Sequence, residues 1–144
     1  MMNILAIQSS GDKTSISVML NEEINSFSLS HSRKDRPDWN IFLSNIGVNR
    51  NFDLKDIDLF VFGNSQKSYT ATRTVASYMK GIAVALDKPL MVIDENSDND
   101  YQADAIAKLA KEKFLTADSD RKAFDPSLAN PSYSEDLNFK KLNE

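Results

Sequence analysis

Two acidic residues follow apolar segments of the chain, at points where a divalent cation could be held. Asp12 lies in a polar turn after the apolar run 4–7, and Asp94 directly follows the apolar run 90–93. A carboxylate near a strand end can bind a cation or its water. An acidic residue in such a turn is more often a turn former, and Gln8, nearer the first strand end, is no carboxylate. A metal-dependent hydrolase that uses Asp12 or Asp94 is therefore an alternative only.

The segment from Gly63 to Arg73 joins an apolar strand to a helix, where backbone N–H groups and the helix dipole favour an anion. Gly63 is its only glycine, whereas phosphate-binding loops need several glycines for close approach of the backbone. An N-cap formed by Ser68 or Thr70 is the favoured interpretation. His31 has no clear Ser or Asp partner by pattern and is expected in a solvated loop. We predict no catalytic residue, no metal and no cofactor.

The composition limits the classes of protein. The 144 residues are 41% hydrophobic and 26% charged, which suits a single globular domain with one core. A net charge of -4 disfavours direct, strong binding of nucleic acid. The absence of cysteine and the single histidine exclude disulfides, thiolate catalysis and multi-histidine metal sites. Without a signal peptide or a membrane-spanning run, we expect a soluble, cytoplasmic protein.

The elements that would position these residues follow from hydrophobic periodicity. Three segments predict an antiparallel meander with a tight turn at Asn21-Glu22: Ile4–Ile7, Thr14–Leu20 and Ile24–Leu29. A helix with Pro37 in its first turn and Gly47 at its end follows. The remaining elements are a strand at Leu59–Phe62, a helix at Thr70–Leu86, a strand at Leu90–Ile93 and a helix at Gln102–Leu115.

This order predicts an α/β fold with a mixed five-stranded sheet. By analogy, it is the order of a ribonuclease-H-like domain, the half from which actin-like ATPases are built. We expect this domain to span residues 1–94, followed by a linker at 95–101. A helix at 102–120 would pack back on the domain, and residues 121–144 would form an irregular C-terminal tail.

The helix at 70–86 has two faces. One face is a large apolar stripe formed by Val75, Tyr78, Met79, Ile82 and Leu86. The other is small and nearly uncharged, interrupted only by Lys80, and is formed by Ser77, Gly81, Val84 and Ala85. A second, weakly polar face suits close packing by a partner helix. Coverage of this face by the third helix or by the tail remains the alternative.

The loop and this helix resemble the TsaB family, the non-catalytic paralogue of the threonylcarbamoyl transferase TsaD. The family loop reads Gly-Arg-Gly-Pro-Gly-Ser-Phe-Thr-Gly-Val-Arg and precedes a glycine- and alanine-rich helix. The matching positions are Gly63, Ser68, Tyr69, Thr70, Arg73, Gly81, Ala83 and Pro89. Segments 2–7, 53–58, 131–133 and 139–142 also resemble the family. Ser65, Gln66, Lys67 and Ala71 depart from the loop pattern, and Gln8 stands where the family has Asp.

The resemblance implies a scaffold subunit for the formation of threonylcarbamoyladenosine in tRNA, at the adenosine beside the anticodon. Family members carry a second ribonuclease-H-like half where this chain has only residues 94–100, so we infer an internal deletion. The implied partners are a TsaD-like transferase, a second copy of the chain, or both, and indirectly a small ATPase. The predicted interface residues are Trp39, Phe42, Leu43, Ile46, Ser77, Tyr78, Gly81 and Ile82. A self-associating regulatory module and a ribonuclease-H-like or nucleotide-binding hydrolase are the alternatives.

Overall fold

The computed structural model of the chain describes residues 2–32, 38–64, 69–94 and 102–117. Its first three strands are β1 (Ile4–Ser9), β2 (Lys13–Leu20) and β3 (Glu23–Ser30), and they form an antiparallel meander. Asn21 and Glu22 have positive φ angles of 51° and 75°, the backbone of a two-residue hairpin turn that matches the strand twist. The predicted meander and its tight turn are confirmed.

Five further elements complete the fold, with a single 3-10 turn at Leu54–Asp56 between the first two. They are α1 (Trp39–Ile46), β4 (Leu59–Asn64), α2 (Tyr69–Leu86), β5 (Leu90–Asp94) and α3 (Ala103–Ala117). The sheet order is β3-β2-β1-β4-β5, with β4 parallel to both β1 and β5. The predicted α/β class and the mixed five-stranded sheet are therefore confirmed.

The sheet carries helices on both faces. Leu5 and Ile7 of β1 pack in one core with residues of α1 and α2, whereas Ile4 and Ala6 pack in a second core with residues of α3. This division follows from the alternation of side chains along a strand. All six residues of β1 are buried, as expected for a central strand covered on both sides.

Helix α1 has well-defined ends. Asp38 is its N-cap, and its carboxylate accepts a hydrogen bond of 3.0 Å from the backbone N–H of Asn40. The helix therefore begins at Trp39, directly after its Asp38 cap. Pro37, which the sequence places in the first turn, lies outside the described residues. Gly47 ends the helix with a φ of 102° and an N–H bond to the carbonyl of Ser44, as predicted.

Strands β1 and β4 are longer than their apolar runs because the hydrogen-bonded ladder continues through polar residues. Ser9 pairs with Thr14, and Asn64 pairs with Asp94. The predicted linker at 95–101 and the tail at 121–144 lie outside the described residues, as do residues 118–120 of the predicted third helix. Among the helices that the structure describes, none has the length and apolar content to cross a membrane.

Candidate partner-binding surface

Helices α1 and α2 are joined by an aromatic contact. The rings of Trp39 and Tyr78 stack with centroids 4.7 Å apart and planes 14° from parallel. Phe42 lies 5.9 Å from Trp39 and meets the ring of Phe27 edge-on at 5.4 Å. Aromatic pairs in these arrangements contribute beyond the area that they bury. Burial raises the pKa of the Tyr78 hydroxyl, because a charged phenolate is poorly solvated there.

The eight predicted interface residues divide into three groups. Phe42, Leu43 and Ile46 are buried in the core between α1 and the sheet, so they are accounted for by internal packing. Trp39, Tyr78 and Ile82 are half-buried at the edge of the same core. Ser77 and Gly81 are exposed on the outer side of α2.

The exposed outer side of this helical layer also carries large apolar side chains. Val84 is 63% exposed and Ile41 is 45% exposed, and Ala85 is exposed as well. We call Ile41, Ser77, Gly81, Val84 and Ala85 the outer helix surface. The sequence analysis did not name Ile41, because Ile41 lies outside the apolar stripe of α1. The signal for it is a branched apolar residue on the face of the helix that otherwise carries Asn40, Ser44 and Asn45.

Packing within the described part of the chain does not require a glycine at position 81. A Cβ built on Gly81 meets no atom of the described residues within 4 Å. A glycine within a helix destabilises it by about 0.5–1 kcal/mol relative to alanine. Helix α3 cannot cover this position, because it packs on the opposite face of the sheet.

The motif loop residues lie at the carboxyl edge of the parallel strands. Gly63 is buried in β4. The next residue of that strand, Asn64, donates a hydrogen bond of 3.0 Å from its Nδ2 to Oδ1 of Asp94. Tyr69 begins α2, and Arg73 is exposed. Thr70 is the second helical residue and its carbonyl accepts from the Thr74 hydroxyl. It is therefore not the N-cap, and Ser68, the other proposed cap, lies outside the described residues.

The two candidate metal ligands are exposed carboxylates. Asp12 Oδ1 accepts from the Ser10 hydroxyl at 3.4 Å, and Asp94 accepts from Asn64 as described. Gln8, at the end of β1, is 3% exposed. Within the ranges that the structure describes, no three residues of the His, Cys, Asp or Glu type are grouped to hold a metal ion.

His31 lies in a loop, as expected, but it is half-buried and has a hydrogen-bonding partner that the sequence pattern does not show. Its Nε2 lies 2.8 Å from the Thr14 hydroxyl, and Thr14 donates to the Ser9 hydroxyl at 2.9 Å. Thr14 and Ser9 are both buried. The partners come together through the pairing of β2 with β1 and β3, which no linear spacing in the sequence reveals.

Comparisons with known proteins bear on the fold. No family model and no curated protein sequence matches the chain. Among solved structures, YeaZ from Pseudomonas aeruginosa matches with a TM-score of 0.61 and 19% identity, over 66% of this chain and 45% of that one. A second structure, an uncharacterized protein with similarity to peptidase YEAZ from Pseudomonas aeruginosa, gives the same TM-score and identity over 66% and 44%.

The chain thus spans less than half the length of these neighbours. Over the matched region the chain has the ribonuclease-H-like fold of YeaZ, the protein also called TsaB.

Proposed function

We propose that this chain is a non-catalytic scaffold subunit in the formation of threonylcarbamoyladenosine in tRNA. It acts by docking the outer helix surface of α1 and α2 against helices of a TsaD-like transferase. The transferase performs the chemistry, and this chain positions or stabilises it. The resemblance at the motif loop and the shared fold of YeaZ are the background to this proposal.

The observation that carries the proposal is Gly81 within its surroundings. A glycine in the middle of an exposed helix face weakens the helix, and no atom of the described residues lies close enough to Gly81 to explain it. It is flanked by Ser77 and Ala85, which are small, and by Val84, whose exposure leaves apolar area in water. Small residues next to an exposed branched one allow two helix backbones to approach closely and bury that area.

The residues at the carboxyl edge of the parallel strands favour a scaffold role over catalysis. Gln8 occupies the end of the central strand with an amide, which cannot replace a carboxylate as a ligand for a hard cation. The segment from Gly63 to Arg73 has one glycine, and that glycine lies in β4, whereas a phosphate-binding loop needs several.

The test is complementation in cells that lack this gene, with threonylcarbamoyladenosine in total tRNA measured by mass spectrometry. Wild type is expected to support the modification. Gly81→Arg is expected to lose it, because the long side chain blocks close approach while the open space around Gly81 leaves the fold intact. The melting temperature of the purified Gly81→Arg variant checks that last point.

Asp12→Asn is the matched control. Asp12 is exposed in the turn after β1, away from the outer helix surface, so the variant is expected to support full modification. If Asp12→Asn abolishes the modification while Gly81→Arg supports it, the metal-dependent hydrolase replaces the scaffold as the better account.

A further inference from the structure

A groove lies on the other face of the sheet, between the β2–β3 hairpin and α3. Its apolar wall is formed by Met19, Ile24 and Leu115. Its charged lining residues, here called the rim, are Glu22, Lys108, Lys111 and Glu112. The volume is about 390 Å³, more than twice that of the ~150 Å³ cavity that holds a benzene ring. The groove can therefore take more than one side chain.

The apolar wall is incompletely covered by the described part of the chain. Leu115 is 60% exposed, and Ile24 is half-buried on the edge strand β3. A single exposed leucine is ordinary, whereas an exposed leucine that shares a groove with other apolar side chains indicates a binding site. The rim combines two lysines with two glutamates. Lys108 is exposed, and Lys111 forms a 3.3 Å ion pair with Glu22.

A segment that follows α3 in the sequence has a composition that suits the groove. The described part of α3 ends at Ala117, two residues after Leu115, so the chain continues from one end of the groove. The following segment 121–128 reads Arg-Lys-Ala-Phe-Asp-Pro-Ser-Leu. It contains two large apolar residues, Phe124 and Leu128, around one carboxylate, Asp125. This composition complements an apolar wall with a lysine on its rim.

The distances also suit this segment. Lys108 and Leu115 are seven helical residues apart, so the groove runs about 10 Å along α3. An extended chain covers about 3.3 Å per residue, so the seven residues from Ala117 to Phe124 can span about 23 Å, which is more than the length of the groove. A segment attached at the mouth of its own site also has an effective concentration in the millimolar range, which favours it over a free partner.

We propose that the segment 121–128 docks in this groove of its own chain, with Phe124 and Leu128 against Ile24 and Leu115 and with Asp125 beside Lys108. The groove and the outer helix surface are on opposite faces of the sheet. The docked segment therefore leaves the outer helix surface free for a partner.

The test is limited digestion with trypsin, which cleaves after Arg121 and Lys122, followed by mass spectrometry. In the folded full-length chain a docked segment is cleaved slowly, because the protease acts on the released state. Leu115→Asp and Phe124→Ser are each expected to raise the cleavage rate about tenfold or more. Val84→Asp, a matched exposed apolar position on the opposite face, is expected to leave the rate unchanged.

The double variant distinguishes a direct contact from two separate effects. If Leu115 and Phe124 belong to one contact, the combined Leu115→Asp and Phe124→Ser variant is cleaved no faster than either single variant. Equal cleavage of wild type and both single variants would overturn the proposal. Protection that depends on protein concentration would also overturn it, because a second copy would then be the occupant. Phe124→Ser decides the matter alone if Leu115→Asp fails to fold.

Discussion

At the scale of the residue, a substitution at Gly81 is expected to change the stability of the fold and the affinity for a partner in opposite directions. Gly81→Ala adds a methyl group that meets no atom of the residues the structure describes, so it is expected to raise the free energy of unfolding by about 0.5–1 kcal/mol. In a close helix–helix contact the same methyl group overpacks the interface. Affinity for the TsaD-like protein is expected to fall about tenfold, the factor that ~1.4 kcal/mol gives.

Urea unfolding and a binding titration measure these two quantities on the same variant. Trp39 is the only tryptophan and lies half-buried against α2, so its emission reports both events. A variant that is more stable and binds as tightly as wild type would mean that Gly81 does not face the partner.

At the scale of the element, the Trp39–Tyr78 stack connects α1 to α2, and its strength is expected to depend on pH. The folded state raises the pKa of Tyr78 above its usual value of 10.0, so folding favours the neutral phenol. This contribution is complete below pH 10 and is lost as the pH rises through the raised pKa. Wild type should therefore lose stability in strongly alkaline solution, and Tyr78→Phe should lose less.

The measurement is the free energy of unfolding in urea, compared between wild type and Tyr78→Phe from about pH 8 to about pH 11. Below the usual tyrosine pKa the difference between the two proteins is expected to be constant. The explanation by burial of the phenol fails if the two curves stay parallel over the whole range.

Element types and order were predictable because each strand and helix has its own hydrophobic period. The start of α1 was not, since only the hydrogen bond from the Asn40 backbone N–H to the Asp38 carboxylate identifies the cap. The contact of His31 with Thr14 could not be predicted from the sequence either, because it depends on the register of β2 against β3. Ile41 was missed because periodicity identifies the buried stripe and gives no meaning to an apolar residue outside it.

At the scale of the whole molecule, the sheet separates two surfaces with different expected occupants. Helices α1 and α2 cover one face and α3 covers the other. The sequence pattern of α2 alone left open whether α3 covers its small face, because periodicity does not say on which side of a sheet a later helix packs. The structure places α3 on the opposite face of the sheet, so α3 does not cover the small face of α2. The tail at 121–144, the other alternative, lies outside the described residues.

The most direct test of the scaffold account is size-exclusion chromatography with light scattering, on the purified chain alone and mixed with the TsaD-like protein of the same organism. The account predicts a mixed one-to-one complex with wild type and separate elution with Gly81→Arg. A stable homodimer that does not bind the TsaD-like protein would contradict it and would favour a self-associating module instead.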